Sequence, residues 1–198
     1  MIHQHNERTR CPDPTRLLPL LLVTSLVACG GGGETSGLSG GPGGGSGILA
    51  GNFTPDNPDP GANTVSIHGS SNTNIVTLNV TVTGVTDVFG ASFDVTYDPT
   101  MTEFVNWSPG SLLESNNQQV SYQINSQQAG RLVVGVARTT PSGGANAGIS
   151  TGLVKLLFRV TQAGASQVRF ERAGLLNSAD PPQSIGGIVF AGGTLTAN

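Results

Sequence analysis

Catalysis needs nucleophiles, bases or metal ligands that can converge, and this chain has few of them. Its three histidines are His3, His5 and His68, and the first two sit in an N-terminal segment with Arg8, Arg10 and Arg16. A serine–histidine–aspartate relay would have to be built on His68, and a zinc site would find one imidazole where it wants several ligands. The carboxylates open to a glycosidase-type pair are Asp94, Asp98, Glu103 and Glu114. Such a pair needs a cleft, and the short loops of this chain offer little room for one. The residues therefore point to a protein that is not an enzyme, with no metal and no cofactor. Asp98-Pro99 reads as a turn, because Asp accepts local backbone hydrogen bonds and Pro fixes φ.

The thiols suggest different chemistry. Cys11 and Cys29 both precede the part of the chain with strand character, so they supply no disulfide framework. After the three arginines comes an apolar run from Leu17 to Ala28. It is too short to cross a bilayer core of about 30 Å, which takes roughly 20 helical residues. Basic residues, a short apolar stretch and a small-residue site describe a secretory signal. The run ends Leu26-Val27-Ala28-Cys29, which resembles the lipobox of bacterial lipoproteins. The resemblance implies cleavage before Cys29 and acylation of its thiol and new amine. Cys29 is then a membrane anchor, with about 0.8 kcal/mol for each CH₂ buried in lipid. With Gly30 rather than Asp after the cysteine, the resemblance implies no inner-membrane retention. The expected location is the outer membrane or cell surface of a bacterium.

Glycine makes up about half of residues 30–51, with Ser, Pro and Thr among the rest. Such a segment cannot bury enough apolar surface to offset its chain entropy. "NFTPDNPDPGANT" continues it with three prolines. Residues 29–62 are expected to be a tether with a reach of roughly 30 Å. The organisation is then a signal over 1–28, a linker over 29–62 and a folded module over 63–198. The glycines do not form a phosphate loop, since no strand precedes them and no lysine lies among them. Charged residues are 11% of the chain and the net charge is -3. With no basic cluster in the sequence, nucleic acid is not an expected partner.

Beyond residue 63, period-2 alternation dominates. "IVTLNVTVTG" puts Val76, Leu78, Val80 and Val82 on one face, and "LVKLLFRV" does the same with Val154, Leu156, Phe158 and Val160. "QVSYQIN" and "QVRFER" follow the pattern, and no long 3.6-residue pattern appears. Nine strands are expected, near 64–68, 75–84, 89–97, 102–107, 118–125, 130–138, 151–162, 167–175 and 187–196. Strands with one apolar face each must cover one another, as an all-β two-sheet sandwich or as a closed barrel.

The stretch "GASFDVTYDPTMTEFVNWSPGSLL" resembles the third and fourth strands of cohesin modules, with an F-x-V-x-Y-D-P strand end and a P-G-S-L turn. "GRLVVGVARTT", "GLVKLLFRVTQ" and "GGIVFAGGTLT" follow in the family's order. The resemblance implies a nine-stranded jelly-roll sandwich that binds a dockerin module of another protein without catalysis. The same superfamily includes carbohydrate-binding modules, so polysaccharide is the alternative partner.

In cohesins the dockerin lies on the outer face of the sheet built from strands three, five, six and eight. Carried over, that face shows Gly90, Ser92, Asp94 and Thr96 from the third strand and Gln123 from the fifth. Arg131, Val133, Gly135 and Arg138 come from the sixth, outside an inward Leu132, Val134 and Val136. Gly90 and Gly135 stand where the family shows larger side chains, and Arg138 where an acidic residue is common. Trp107 is the lone tryptophan. It is either a sugar-stacking platform or a strand-end plug. Tyr97 and Tyr122 share the parity of core residues.

Overall fold

The computed structural model describes residues 49–139 and 143–198. Its strands are β1 (Gly51–Pro55), β2 (Thr64–Asn72), β3 (Ile75–Thr83), β4 (Val85–Val88), β5 (Gly90–Thr96), β6 (Thr102–Pro109) and β7 (Val120–Gln128). They continue as β8 (Arg131–Arg138), β9 (Ala145–Ala147), β10 (Thr151–Val160), β11 (Gly164–Leu176), β12 (Val189–Ala191) and β13 (Gly193–Ala197). One helical turn, α1 (Ser111–Glu114), runs into a 3-10 turn over Ser115–Asn117.

The alternation seen in the sequence is the alternation of burial. Along β3, Val76, Leu78, Val80 and Val82 are fully buried while the intervening residues are partly exposed. β10 lies antiparallel to β3 and buries Val154, Leu156, Phe158 and Val160 on the same side. These strands form a five-stranded sheet in the order β12-β2-β3-β10-β6. A six-stranded sheet, β1-β13-β11-β5-β8-β7, covers it with Phe93, Val95, Leu132, Val134, Val168 and Leu195. Each large side chain buried this way contributes roughly 1.5–3 kcal/mol. The all-β two-sheet sandwich is thus the observed architecture, and the closed barrel is not.

The strands differ from expectation at their ends. The last one, expected over 187–196, is two. β12 runs parallel to β2 in one sheet, and β13 pairs with β1 and β11 in the other. The chain changes sheets at Gly192, where a Cβ would lie 2.1 Å from the Val168 carbonyl oxygen. Only glycine permits that approach. The short pair β4–β9 was also unexpected, since Val85, Val88, Ala145 and Ala147 are too few to show a period.

The linker boundary needs correction as well. The sequence placed a tether through residue 62, but Gly51–Pro55 is a strand, registered from Gly51↔Ala197 to Pro55↔Gly193. Its single large apolar residue, Phe53, is 6% exposed. A Cβ at Gly69 would come within 2.2 Å of Phe53, and one at Gly193 within 2.3 Å. Two bare backbone positions therefore make the seat for one ring, a feature that no periodicity announces. Cys29, the signal segment and the linker up to residue 48 lie outside the described residues.

Asp87 ties three loops together. It adopts φ 59° and accepts hydrogen bonds from Ser178 Oγ (2.6 Å), Ser178 N (3.3 Å) and Gly144 N (2.9 Å). The Ser178 hydroxyl bond, aided by the two amides, holds its carboxyl below the usual range.

Phe53→Ala should destabilise the module by about 3 kcal/mol through loss of the β1 seat. Denaturant unfolding measures this, and a change below about 0.5 kcal/mol would mean that β1 adds nothing.

Candidate binding face

The outer face of β7, β8, β5 and β11 is set out in rows by strand register. One row reads Gln128, Arg131, Thr96, Arg169, and the next Asn125, Val133, Asp94, Glu171. A third reads Gln123, Gly135, Ser92, Gly174. The structure brings Ser92, Asp94, Thr96, Gln123, Arg131 and Val133 together on one surface, with Gly90 and Gly135. Sequence reasoning missed Asn125, Arg169, Glu171, Arg172 and Gly174.

Asp94 is the electrostatic centre. It points outward but is 4% exposed, because arginines cover it. Arg131 donates from Nε (3.0 Å) and Nη2 (2.6 Å) to the same carboxylate oxygen. Arg172 Nε stands 3.5 Å from that oxygen. Charge-assisted bonds of this kind fix geometry as well as adding energy. Arg172 reaches Asp94 because β11 bulges between Glu171 and Gly174, with Arg172 at φ 48°. A bulge breaks the two-residue period and re-aims a side chain. The burial shows that break: Val168 and Phe170 face the core at even positions, and Leu175 faces it at an odd one.

Val133 is the apolar element of the face, 42% exposed. Beside it a hollow of 180 Å³ is lined by Asn125, Gln127, Gln128, Arg131 and Val133.

Arg138 is not on this surface. It has the parity of Leu132, Val134 and Val136, so it turns inward and is 5% exposed. There it caps open carbonyls. Nε donates to Leu113 O (2.9 Å), Nη1 to Gly143 O (2.6 Å), and Nη2 to Ser115 O (3.2 Å) and Ser115 Oγ (2.8 Å). A guanidinium supplies five donors in a fixed fork, which suits a helical turn where Ser115 caps Leu112 O and leaves the Leu113 and Ser115 carbonyls to Arg138.

Trp107 is a plug rather than a platform. It lies on edge strand β6, half-buried against the core, with its ring 4.9 Å from that of Tyr122 on edge strand β7. The pair closes the seam between the two sheets. Burial, then the charge and hydrogen bond of Glu114, push the Tyr122 hydroxyl up to about 12. Tyr97 packs edge-on against Phe158 as its parity implied.

The carboxylates considered for acid–base chemistry are engaged in separate places. Asp94 is clasped by arginines, and Glu103 pairs with Arg159 on the other sheet at 3.0 Å. Asp98 accepts from Thr100 Oγ1 (2.7 Å) and Thr100 N (2.9 Å), which lowers its pKa and makes the expected turn. Glu114 accepts from the Tyr122 hydroxyl at 3.4 Å.

His68 lines an open hollow of 610 Å³ on the five-stranded sheet, with Asn79, Thr81, Glu114 and Lys155. Its Nε2 is 3.0 Å from the hydroxyl of Ser66, which also bonds Thr81 Oγ1 at 3.1 Å. Ser66 is fully buried, so its hydroxyl is out of a substrate's reach. Among the described residues no group of His, Cys, Asp and Glu could hold a metal ion.

Arg138→Met should destabilise the module by about 2–4 kcal/mol, because it strands several buried carbonyls. Arg169→Met, on the exposed face, should stay within about 0.5 kcal/mol of the parent. Equal losses in thermal or denaturant unfolding would contradict the assigned orientations.

Comparison with solved structures finds this fold in cohesins. A type II cohesin module of the ScaA scaffoldin of Acetivibrio cellulolyticus is 19% identical, over 74% of this chain and 88% of its own, with a TM-score of 0.53. A chain of a type II cohesin–X–dockerin complex of the same organism is 17% identical, over 70% and 92%, with a TM-score of 0.52. The solution structure of CaCohA2 from Clostridium acetobutylicum is 18% identical, over 66% and 86%, with a TM-score of 0.52. At these identities the likeness is one of fold. No curated protein matches the chain. Residues 65–180, more than half of the chain, match the cohesin domain, and the chain belongs to that family of non-catalytic binding modules.

Proposed function

We propose that the outer face of β7, β8, β5 and β11 docks a dockerin-like module of another protein, and that acylated Cys29 holds the complex at a bacterial envelope. The observation that carries the docking reading is the surface itself. An exposed Val133 sits among the uncharged polar side chains of Asn125, Gln127 and Gln128, next to a carboxylate already paired with arginine. The ground around Val133 and Asp94 can be desolvated without stranding that carboxylate, and protein interfaces are built around apolar contacts with the polar groups satisfied. A relative of this fold was solved as a cohesin–X–dockerin complex. The plug role of Trp107 removes the one aromatic that favoured a sugar-stacking strip.

The full chain should bind at least one member of a panel of purified dockerin modules in calorimetry. Val133→Asp should weaken that binding at least about tenfold, or about 1.4 kcal/mol. Lys155→Glu, on the opposite sheet, should leave it unchanged. Loss on changing Lys155 but not Val133 would move the site to the other sheet. Retention on insoluble polysaccharide with no dockerin bound would favour the sugar alternative.

The anchor has its own test. Cys29→Ser should release the protein from the membrane fraction, and continued membrane association of that variant would rule out lipid at Cys29.

A further inference from the structure

The distribution of charge and of missing side chains on this face describes the partner. The cations of the folded part are Arg131, Arg138, Lys155, Arg159, Arg169 and Arg172. Arg138 is buried, and Arg159 is paired with Glu103. Arg131, Arg169 and Arg172, half of the set, stand on the one sheet face described above. The acids among them are Asp94 and Glu171, and Asp94 is already taken by Arg131 and Arg172. The face is therefore cationic on a chain whose net charge is -3.

Two rows along the strands from Arg131 and Arg169, beyond Val133, Asp94 and Glu171, the surface is scooped out. In the row Gln123, Gly135, Ser92, Gly174, the two strands that adjoin β5 carry glycine, on either side of the short Ser92. A Cβ built at Gly135 would meet only Gln123, at 3.7 Å, and one at Gly174 would meet nothing within 4 Å. Neither glycine is demanded by a positive φ or by a close internal contact. The space they leave is open to whatever lies on the sheet. Strands about 4.8 Å apart make this a trough roughly 10 Å across, wide enough for one large side chain.

We infer that the partner is a module with an acidic contact surface that brings its own apolar knob: a bulky side chain seated over Gly135, Ser92 and Gly174, with carboxylates farther along the sheet facing Arg169 and Arg172. This rests on the docking reading above and adds the chemistry of the occupant. The exposed arginines steer the approach and set its salt dependence, since charges at a rim act over about 8 Å at physiological ionic strength. The trough supplies the packing that one valine cannot.

The test uses one dockerin scaffold in three versions, with a leucine at the position facing the trough and Glu, Ser or Lys at the positions facing Arg169 and Arg172, against the full chain. The Glu version should bind tightest and weaken as salt is raised. Arg169→Glu combined with Arg172→Gln should weaken the Glu version at least about tenfold and shift the preference toward the Lys version. Gly135→Val should keep the parent melting temperature, because its Cβ has room, yet abolish binding of all three. Melting curves of every variant separate lost binding from lost fold. Binding that ignores the sign of the flanking residues, or that survives Gly135→Val, overturns the inference and leaves docking at this face standing. Failure of all three versions and of the wider dockerin panel overturns the docking reading, and this inference with it.

Discussion

Each sheet of this module has one apolar face, and neither face can meet water without cost. Val76, Leu78, Val80 and Val82 on β3 and Val154, Leu156 and Phe158 on β10 need the Phe93, Val95, Leu132 and Val134 of the opposing sheet. That mutual covering commits every second residue of the central strands to the interior. It leaves the alternate residues free of any packing duty, and recognition can be written on them without disturbing the core. The polar rows on β5 and β8 are such residues, and they are set against valines that the fold cannot spare.

The same alternation explains what the sequence disclosed. β3, β5, β8 and β10 have long clean periods, so their positions and faces were readable. Where the period is short or broken, reading failed for a physical reason. β1 depends on Phe53 resting on the bare backbone at Gly69 and Gly193, a fit between residues far apart in the chain. Gly192 divides the last strand because the chain must pass the Val168 carbonyl on its way between sheets.

The face shows the same contrast. Ser92, Asp94, Thr96, Gln123, Arg131 and Val133 follow from parity alone. Arg138 was assigned against its own parity: an arginine at a strand end looked like a surface residue, and its task is to satisfy the carbonyls around α1. The burial of Asp94 was invisible because it comes from Arg131 on the neighbouring strand and from Arg172 beyond a bulge. A bulge is a change of phase, and a reader who assumes constant phase loses every residue after it. Arg172 and Gly174 lie at and beyond such a change, whereas Arg169 and Glu171 precede it and alternate with Val168 and Phe170.

The position of β1 also has a mechanical side. Ala50 and Asn198 exchange backbone hydrogen bonds, so the chain enters the fold beside the end of β13, at the edge of the sheet that carries the arginine face. Tension arriving through the preceding residues meets β1 first and passes by way of β13 and β11 to β5, strand to strand within a single sheet. Drawn along β1, it strains the whole five-residue ladder with β13 in shear; drawn sideways, it peels that ladder one rung at a time. Phe53, the one core side chain on β1, ties that first strand to the interior between the sheets.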